Sequence, residues 1–191
     1  MSQPEVLPEP APGALYLAEI REQPAALRRL LEQRARYADV ASFARDGLVR
    51  MVGHGSSDNA ASYGVYAFGL LAGRTAIRDS ISLTVYYGAP LDLGESTVVA
   101  LSQSGRTPDV LEYLTRARRQ GAYTIAVTND AGSALAEAAD AVLPLTAGPE
   151  HAVAATKTYL TQLAALALLA AELSGRGDEV AAGLAQTADD L

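Results

Sequence analysis

The feature that most constrains the fold is a set of short, almost continuously apolar segments that alternate with longer helical patterns. These apolar segments occupy residues 48–52, 97–101, 123–127 and 141–145. Strands that are apolar on both faces are typical of a parallel sheet with helices packed on each side. We therefore predict an α/β fold, a three-layer α/β/α sandwich with a mostly parallel, flavodoxin-like or Rossmann-like sheet.

The segments between the predicted strands have the apolar spacing of helices. The predicted helices occupy residues 59–71, 108–120, 133–139 and 151–173. Shorter helices, interrupted at Pro24, form an N-terminal extension. The predicted divisions of the chain are a disordered Pro-rich arm at 1–13, N-terminal helices at 14–47, a central domain at 48–175 and a polar C-terminal tail at 176–191.

Composition excludes several classes of function. The chain has 22 acidic and 15 basic residues, a net charge of −7, so we expect no nucleic acid partner held by bulk charge. It has no cysteine, which excludes disulfides, thiolate zinc sites and cysteine nucleophiles, and its two histidines disfavour a histidine-rich metal site. We expect no signal peptide and no membrane partner, because the longest apolar run, at 163–171, is too short to span a bilayer. A cytoplasmic location is the resulting expectation.

Hydroxyl-rich segments follow three of the predicted strands, at 55–57, 102–107 and 128–129. Ligands of open parallel sheets bind beyond the carboxyl ends of the strands. A helix N-terminus there offers N–H groups and a partial positive charge to a phosphate. Ser102, Ser104 and Thr107 can donate hydroxyl protons, and Gln103 can donate from its amide. We predict a phosphate site, although Thr107 alone could be only the N-cap of a helix that begins at Pro108.

A nucleotide-binding protein is a remote alternative. The segment Gly53-His54-Gly55-Ser56-Ser57-Asp58 has Asp58 where a dinucleotide fingerprint needs its third glycine. No Gly-Lys-Ser or Gly-Lys-Thr sequence follows the predicted strand at 48–52 or the one at 97–101. Neither of the loops that follow them therefore supports ATP binding.

Three motifs, read together and in order along the chain, resemble the phosphosugar-binding domains of the sugar isomerase (SIS) family. They are GxGSS at 53–57, LSQSGxT at 101–107, and AGPE at 147–150 followed by VAATK at 153–157. The sequence EIREQP at 19–24 is similar to the N-terminal helix of the isomerase half of glucosamine-6-phosphate synthase and of the related glucosamine-6-phosphate deaminases. The central domain is thereby identified as a member of this family.

The resemblance implies which residues bind the ligand. The residues implied for the phosphate are Ser102, Gln103, Ser104 and Thr107; those implied around the sugar are Ser56 and Ser57, with the backbone of Val153 and Ala154. Lys157 is implied to lie in or near the site. Arg106 stands where the synthases usually have glutamate and is more similar to the deaminase branch. His54 stands where a cysteine is common in the synthases, and we assign it no catalytic role.

The function implied is binding of a hexose 6-phosphate or an amino-sugar 6-phosphate, such as fructose 6-phosphate or glucosamine 6-phosphate. The reaction of the whole family unit is aldose–ketose isomerisation coupled to loss of ammonia, without metal or organic cofactor. The synthase's cysteine nucleophile is absent here, and the deaminases carry their acid/base residues in a second such domain. We therefore expect one half of a two-domain unit, and whether it is an enzyme stays open. The alternative is a non-catalytic phosphosugar sensor.

Two residues are weak catalytic candidates. Glu150 could transfer a proton between adjacent sugar carbons, or it could simply be a first-turn acid of the following helix. His151 could aid opening of the sugar ring, or it could be a surface histidine at the start of that helix.

The helix predicted at 151–173 is apolar around most of its circumference after Gln162. A helix that is apolar all round is buried on all sides. We predict a homodimer in which this helix contacts a partner as well as the core; the alternative is a central core helix in a monomer.

Overall fold

A computed structural model describes residues 12–191, so all of the predicted Pro-rich arm except Pro12 and Gly13 lies outside the described residues. The strands are β1 (Leu48–Val52), β2 (Ala76–Arg78), β3 (Ser96–Leu101), β4 (Tyr123–Thr128) and β5 (Ala141–Pro144). The helices are α1 (Ala14–Arg21), α2 (Gln23–Glu32), α3 (Arg34–Ser42), α4 (Ser56–Ala67), α5 (Pro108–Arg119), α6 (Ala134–Ala138), α7 (Lys157–Glu172) and α8 (Gly177–Asp190). Phe68–Ala72 and Ser82–Tyr86 are π-helical turns. Within the described range, no helix is both long and apolar enough to cross a membrane.

All five strands are parallel and lie in the order β2-β1-β3-β4-β5. Helices cover both faces, which confirms the predicted three-layer α/β/α sandwich. The chain extends the sheet in one direction from β1 to β2 and in the other from β3 to β5. The order therefore reverses between β1 and β3, and a crevice for ligands is expected beyond the ends of these two strands.

Alternation along the strands divides the core into two halves, because neighbouring side chains of a strand point to opposite faces. Val99 and Leu101 of β3 pack in the half that contains α2, α3, α4, α7 and α8. Val98 and Ala100 pack against α5 and α6. Both faces of β3 are therefore covered, which explains its continuous apolar sequence.

The long helix α7 differs from the prediction in two respects. It begins at Lys157 rather than His151, and residues 151–156 form an irregular segment before it. Its apolar circumference is buried by α2, α3, α4 and α8 of the same chain. The burial of α7 therefore needs no partner chain. The homodimer stays a prediction, and the apolar sequence of this helix no longer supports it.

The residues predicted as a polar tail form α8 instead. Val180, Ala181, Leu184 and Ala188 recur at helical spacing, and Ala188 is buried where α8 packs against α2 and α7. The edge strand β2, absent from the prediction, is only three residues long and carries too little pattern to be recognised.

Candidate functional site

The loops that follow β1 and β3 and the segment that precedes α7 line one cavity of about 250 Å³. It lies at the reversal of strand order, where the fold predicts a ligand crevice. The lining residues are His54, Ser56, Ser57, Leu101, Ser102, Gln103, Ser104, Thr107, Glu150, Ala152, Val153, Ala155, Thr158, Tyr159 and Gln162. Six of the nine predicted binding residues lie in the first turn of α4 or in the loop between β3 and α5, and all six are in this set.

The loop between β3 and α5 is organised by its own hydroxyls. Ser102 Oγ and Thr107 Oγ1 are 2.9 Å apart and share a hydrogen bond, and Ser102 Oγ also accepts from the Gly105 N–H at 3.1 Å. The Ser104 hydroxyl accepts from the Arg106 N–H at 3.3 Å, which leaves its own proton for another acceptor. Ser102 is buried while Ser104 is exposed, so Ser104 is the more accessible donor.

Thr107 stands at the N-cap position of α5, as predicted, but its hydroxyl makes no capping hydrogen bond. Its contact with Ser102 uses the side chain to hold the loop. The simple alternative, in which Thr107 serves only to cap the helix, is therefore wrong. The amino end of α5, with its partial positive charge, lies beside the cavity without a Thr107 side-chain cap.

Gly105 allows this loop to approach the next one closely. Its φ is +61°, a conformation in which L side chains are strained. A Cβ at this position would collide with the Ser133 side chain and lie 2.9 Å from Thr128 Oγ1. The glycine is required both by the backbone conformation and by the space available.

The loop between β1 and α4 turns tightly at two glycines. A Cβ on Gly53 would lie 2.9 Å from the carbonyl carbon of Ser57, and Gly55 has a φ of +58°. The Ser57 N–H donates to the His54 carbonyl at 3.1 Å. Ser57 Oγ in turn accepts from Gln162 Nε2 of α7 at 2.9 Å, which joins the first loop to the long helix.

His54, to which we assign no catalytic role, lies in the cavity lining and is held by an acidic partner. Its Nε2 is 2.5 Å from Asp109 Oδ2, and the Tyr86 hydroxyl donates to the same oxygen at 2.9 Å. Burial raises the pKa of the Asp109 carboxyl, but the hydrogen bonds from His54 and Tyr86 outweigh it and hold this pKa below its ordinary value. Among the described residues that line the cavity, His54 is the only histidine, and none of them is a lysine or an arginine.

The segment before α7 is held by carboxylates of the N-terminal helices. The buried carboxylate of Glu19 accepts from the His151 N–H at 2.5 Å and from the Ala152 N–H at 3.2 Å. Lys157 Nζ donates to Glu22 Oε2 at 2.5 Å and to the Pro149 carbonyl at 2.6 Å. The segment around Glu19 resembles the family in sequence, but no local pattern indicates that its carboxylate binds a segment 132 positions away.

These contacts determine which predicted residues of the segment reach the cavity. Val153 lines it, whereas Ala154, His151 and Lys157 do not. The Lys157 ammonium is buried and directed to Glu22, so its prediction as a residue of the site is not supported by its position. The His151 side chain is exposed, and only its backbone takes part in the contact with Glu19.

Glu150 lines the cavity, but its carboxylate is engaged at the start of α7. It accepts from the N–H groups of Thr156 at 2.9 Å and Thr158 at 3.2 Å, and from both threonine hydroxyls. Burial raises the pKa of Glu150, but these hydrogen bonds outweigh it and hold the pKa below its ordinary value. Such a carboxylate caps the helix well and accepts a proton poorly at neutral pH.

The third hydroxyl-rich segment, at 128–129, lies outside the cavity and supports the residues that precede α7. Asn129 Nδ2 donates to the Gly148 carbonyl at 2.8 Å, and Asn129 Oδ1 accepts from the Ala147 N–H at 2.9 Å. Neither Thr128 nor Asn129 lines the cavity. Arg106 also lies outside its lining, with its guanidinium 3.3 Å from Asp130.

Comparison with known proteins agrees with this geometry. A family model described as the SIS domain matches residues 44–172, more than half of the chain. The glutamine–fructose-6-phosphate aminotransferase (isomerizing) of Aeropyrum pernix is 40% identical over 187 residues, covering 94% of this chain and 30% of that protein. The corresponding aminotransferase of Symbiobacterium thermophilum is 42% identical over 165 residues, covering 81% and 27%. The chain thus spans less than a third of the length of these curated relatives.

Two solved structures share the fold. The C-terminal domain of glucosamine-fructose-6-phosphate aminotransferase from Francisella tularensis has a TM-score of 0.78 and 25% identity, covering 96% of this chain and 55% of that one. The glucosamine-6-phosphate deaminase of Thermotoga maritima has a TM-score of 0.73 and 23% identity, covering 92% and 54%. At 23% identity, the likeness to the deaminase shows the fold alone.

The Gly105→Ala substitution tests the packing of the loop after β3. We expect it to destabilise the protein by more than the ~1–2 kcal/mol of left-handed strain alone, because the new Cβ also collides with Ser133. Gly73→Ala is a matched control, since Gly73 has a φ of +62° and its Cβ would meet open space. Urea denaturation of both variants measures the difference; equal losses would contradict the close approach at Gly105.

The Glu150→Gln substitution tests the capping role. We expect a loss of roughly 1 kcal/mol at pH 7, since the charged cap is removed. The pKa of Glu150 is lowered on folding from its ordinary value of 4.5, so its contribution is present above that value and is lost as the pH falls further. The stability difference between wild type and variant should therefore shrink in acid.

Urea denaturation at pH 7 and at stepwise lower pH measures this difference. Glu112→Gln is the control: Glu112 forms a half-buried pair with Arg116 one turn along α5, and its loss should change stability by about 0.5 kcal/mol or less. If the loss of stability in Glu150→Gln stayed the same at every pH, from 7 down to the lowest pH at which the protein is folded, the role of the ionised carboxylate would be contradicted.

Proposed function

This chain belongs to the SIS domain family, and from that premise we propose that it binds a hexose 6-phosphate or an amino-sugar 6-phosphate. Fructose 6-phosphate and glucosamine 6-phosphate are the proposed ligands. The observation that carries the proposal is the cavity beyond β1 and β3, whose lining brings together serine and threonine hydroxyls that follow both strands. Serine and threonine hydroxyls and amide groups suit a ligand that carries both a phosphate and sugar hydroxyls.

We propose that the phosphate lies at the loop before α5. Ser104, Gln103 and Thr107 supply hydrogen-bond donors there, and the amino end of α5 supplies a partial positive charge. Ser102 supports them from its buried position through its contact with Thr107. The imidazole of His54 also lines the cavity, beside these donors.

We propose that the sugar lies between the loop before α4 and the segment before α7. Ser56 and Ser57 contribute hydroxyls, and the segment around Val153 and Ala154 contributes backbone groups. The carboxylates of Glu19 and Glu22 support this proposal, because they hold that segment in place through His151, Ala152 and Lys157. Lys157 acts in this proposal by positioning the segment rather than by touching the ligand.

Isomerisation, with or without loss of ammonia, is a proposal for a longer protein or an assembly. The relatives are more than three times as long as the matched segment, and their whole activity does not transfer to this chain by similarity. A homodimer would supply a second copy of the site, and Tyr63, Tyr66 and Leu70 form an exposed face at helical spacing on which a second copy could pack. For proton transfer in such an assembly, Glu150 would have to release its contacts at the start of α7, and the His151 side chain would have to enter the cavity.

A non-catalytic phosphosugar sensor is the second candidate function. Two observations favour it for this chain alone: the Glu150 carboxylate is engaged as a helix cap, and the His151 side chain does not line the cavity. A sensor needs only the binding half of the site. The two functions predict the same ligand and differ in turnover.

Ligand binding is tested by thermal denaturation with fructose 6-phosphate or glucosamine 6-phosphate. At about 100 times the dissociation constant, the ligand should stabilise the fold by roughly 2.7 kcal/mol. Ser104→Ala should weaken binding severalfold or more, because it removes an accessible donor to the phosphate, and Ser42→Ala, outside the cavity, should leave it unchanged. A shift with ATP or NAD but with no hexose 6-phosphate would contradict the proposal.

The same samples separate the two functions. Glucosamine 6-phosphate is added, and ammonia and fructose 6-phosphate are measured. Release of both that is lost in Ser104→Ala supports an enzyme, and binding without release supports the sensor.

A further inference from the structure

Gln162 of α7 combines burial, a place in the cavity lining and an unmatched polar atom. Its side chain is 1% exposed, and its Nε2 donates to Ser57 Oγ at 2.9 Å. Its Oε1 is buried and has no hydrogen-bond partner among the described residues. Among the described residues, the other buried side-chain nitrogen or oxygen atoms without a hydrogen-bond partner belong to Tyr37, Arg50 and Thr84. None of these three residues lines the cavity.

An unmatched buried acceptor carries a free-energy cost, which falls when a donor reaches it. Gln162 is part of the cavity lining, so a ligand bound there is the nearest source of a donor from outside the chain. Because Oε1 is a carbonyl oxygen, it repels the oxygens of a phosphate dianion and favours a hydroxyl or amino group. The contact with Ser57 also places Gln162 beside the first turn of α4.

We propose that Gln162 is a specificity-determining residue that accepts a hydrogen bond from a hydroxyl or amino group on the sugar part of the ligand. Its amide N–H also positions Ser57. Because Ser57 Oγ accepts this N–H, the Ser57 hydroxyl keeps its own proton and donates it to the ligand. The pair thus offers one acceptor and one donor to the sugar. This proposal rests on the proposed phosphosugar function and names the residues that select the sugar.

The test substitutes Gln162→Met, which keeps the length of the side chain and removes both hydrogen-bonding groups. Dissociation constants are measured by calorimetry for fructose 6-phosphate, glucosamine 6-phosphate, a series of monodeoxy hexose 6-phosphates and inorganic phosphate. We expect the variant to bind the preferred sugar phosphate about tenfold more weakly, which is the usual effect of one lost hydrogen bond to a buried group. Its binding of inorganic phosphate should change by less than about twofold, since the phosphate loop is untouched.

The deciding readout is selectivity. One deoxy analogue should bind the wild type more weakly than its parent sugar, and this preference should disappear in Gln162→Met. Ser57→Ala and the double variant complete a cycle, in which the losses should be less than additive because the two side chains act as a unit. A purely structural role would leave the preference intact.

The control is Gln120→Met, because Gln120 also makes an amide contact, accepting from the Leu93 N–H at 2.8 Å, but lies outside the cavity. It should leave sugar selectivity unchanged. Thermal denaturation without ligand should show Gln162→Met at least as stable as Gln120→Met, since an unmatched buried polar atom is removed along with the contact.

Three results would overturn the inference: an unchanged preference among the sugars, equal weakening for inorganic phosphate, or additive losses with Ser57→Ala. Failure of the wild type to bind any hexose 6-phosphate would overturn the proposed function and this inference together. Wild-type binding with unchanged selectivity in Gln162→Met would overturn the inference alone.

Discussion

The pairing of β1 with β3 brings the two loops of the site together. The register places Val52 beside Ala100, so both strands end at the same edge of the sheet. Parallel strands need long crossovers, and here these leave β1 and β3 toward helices that begin at the cavity. The two hydroxyl-rich loops are therefore neighbours in space although about fifty residues separate them in the chain. Substitutions that disturb this pairing would separate the proposed phosphate and sugar halves.

Carboxylates build the third wall of the cavity. Glu19 comes from α1, Glu22 from the junction between α1 and α2, and Glu150 from the segment itself. Each accepts hydrogen bonds from backbone N–H groups or from Lys157, so the negative charges serve the scaffold. Because Lys157 is paired with Glu22, while Glu19 and Glu150 accept from backbone N–H groups, the cavity is left to neutral donors and to His54. The N-terminal helices are thus part of the architecture of the site.

Local patterns predicted the layers and the two principal loops, because apolar runs and glycine-rich turns reflect their immediate surroundings. The start of α7 was missed, since the carboxylate of Glu19 holds His151 in an irregular segment from 132 positions away in the chain. Likewise, nothing near His54 in sequence indicates its contact with Asp109, 55 positions distant. The polar composition of α8 concealed its apolar stripe. Contacts between residues that are far apart in the sequence leave no local sequence pattern. Such contacts determine where α7 begins and how His54 is held.

The scarcity of cations in the cavity has a consequence for how a charged ligand arrives. With a net charge of −7, the protein repels a dianion at distances where individual hydroxyls are not felt. The dianion is attracted only at contact, by hydroxyl and amide dipoles whose field weakens steeply with distance. Raising the ionic strength shortens the Debye length and screens the long-range repulsion, so association should become faster in salt. Pockets lined by lysine and arginine show the opposite dependence, and the sign of the salt effect on the association rate therefore distinguishes the two designs.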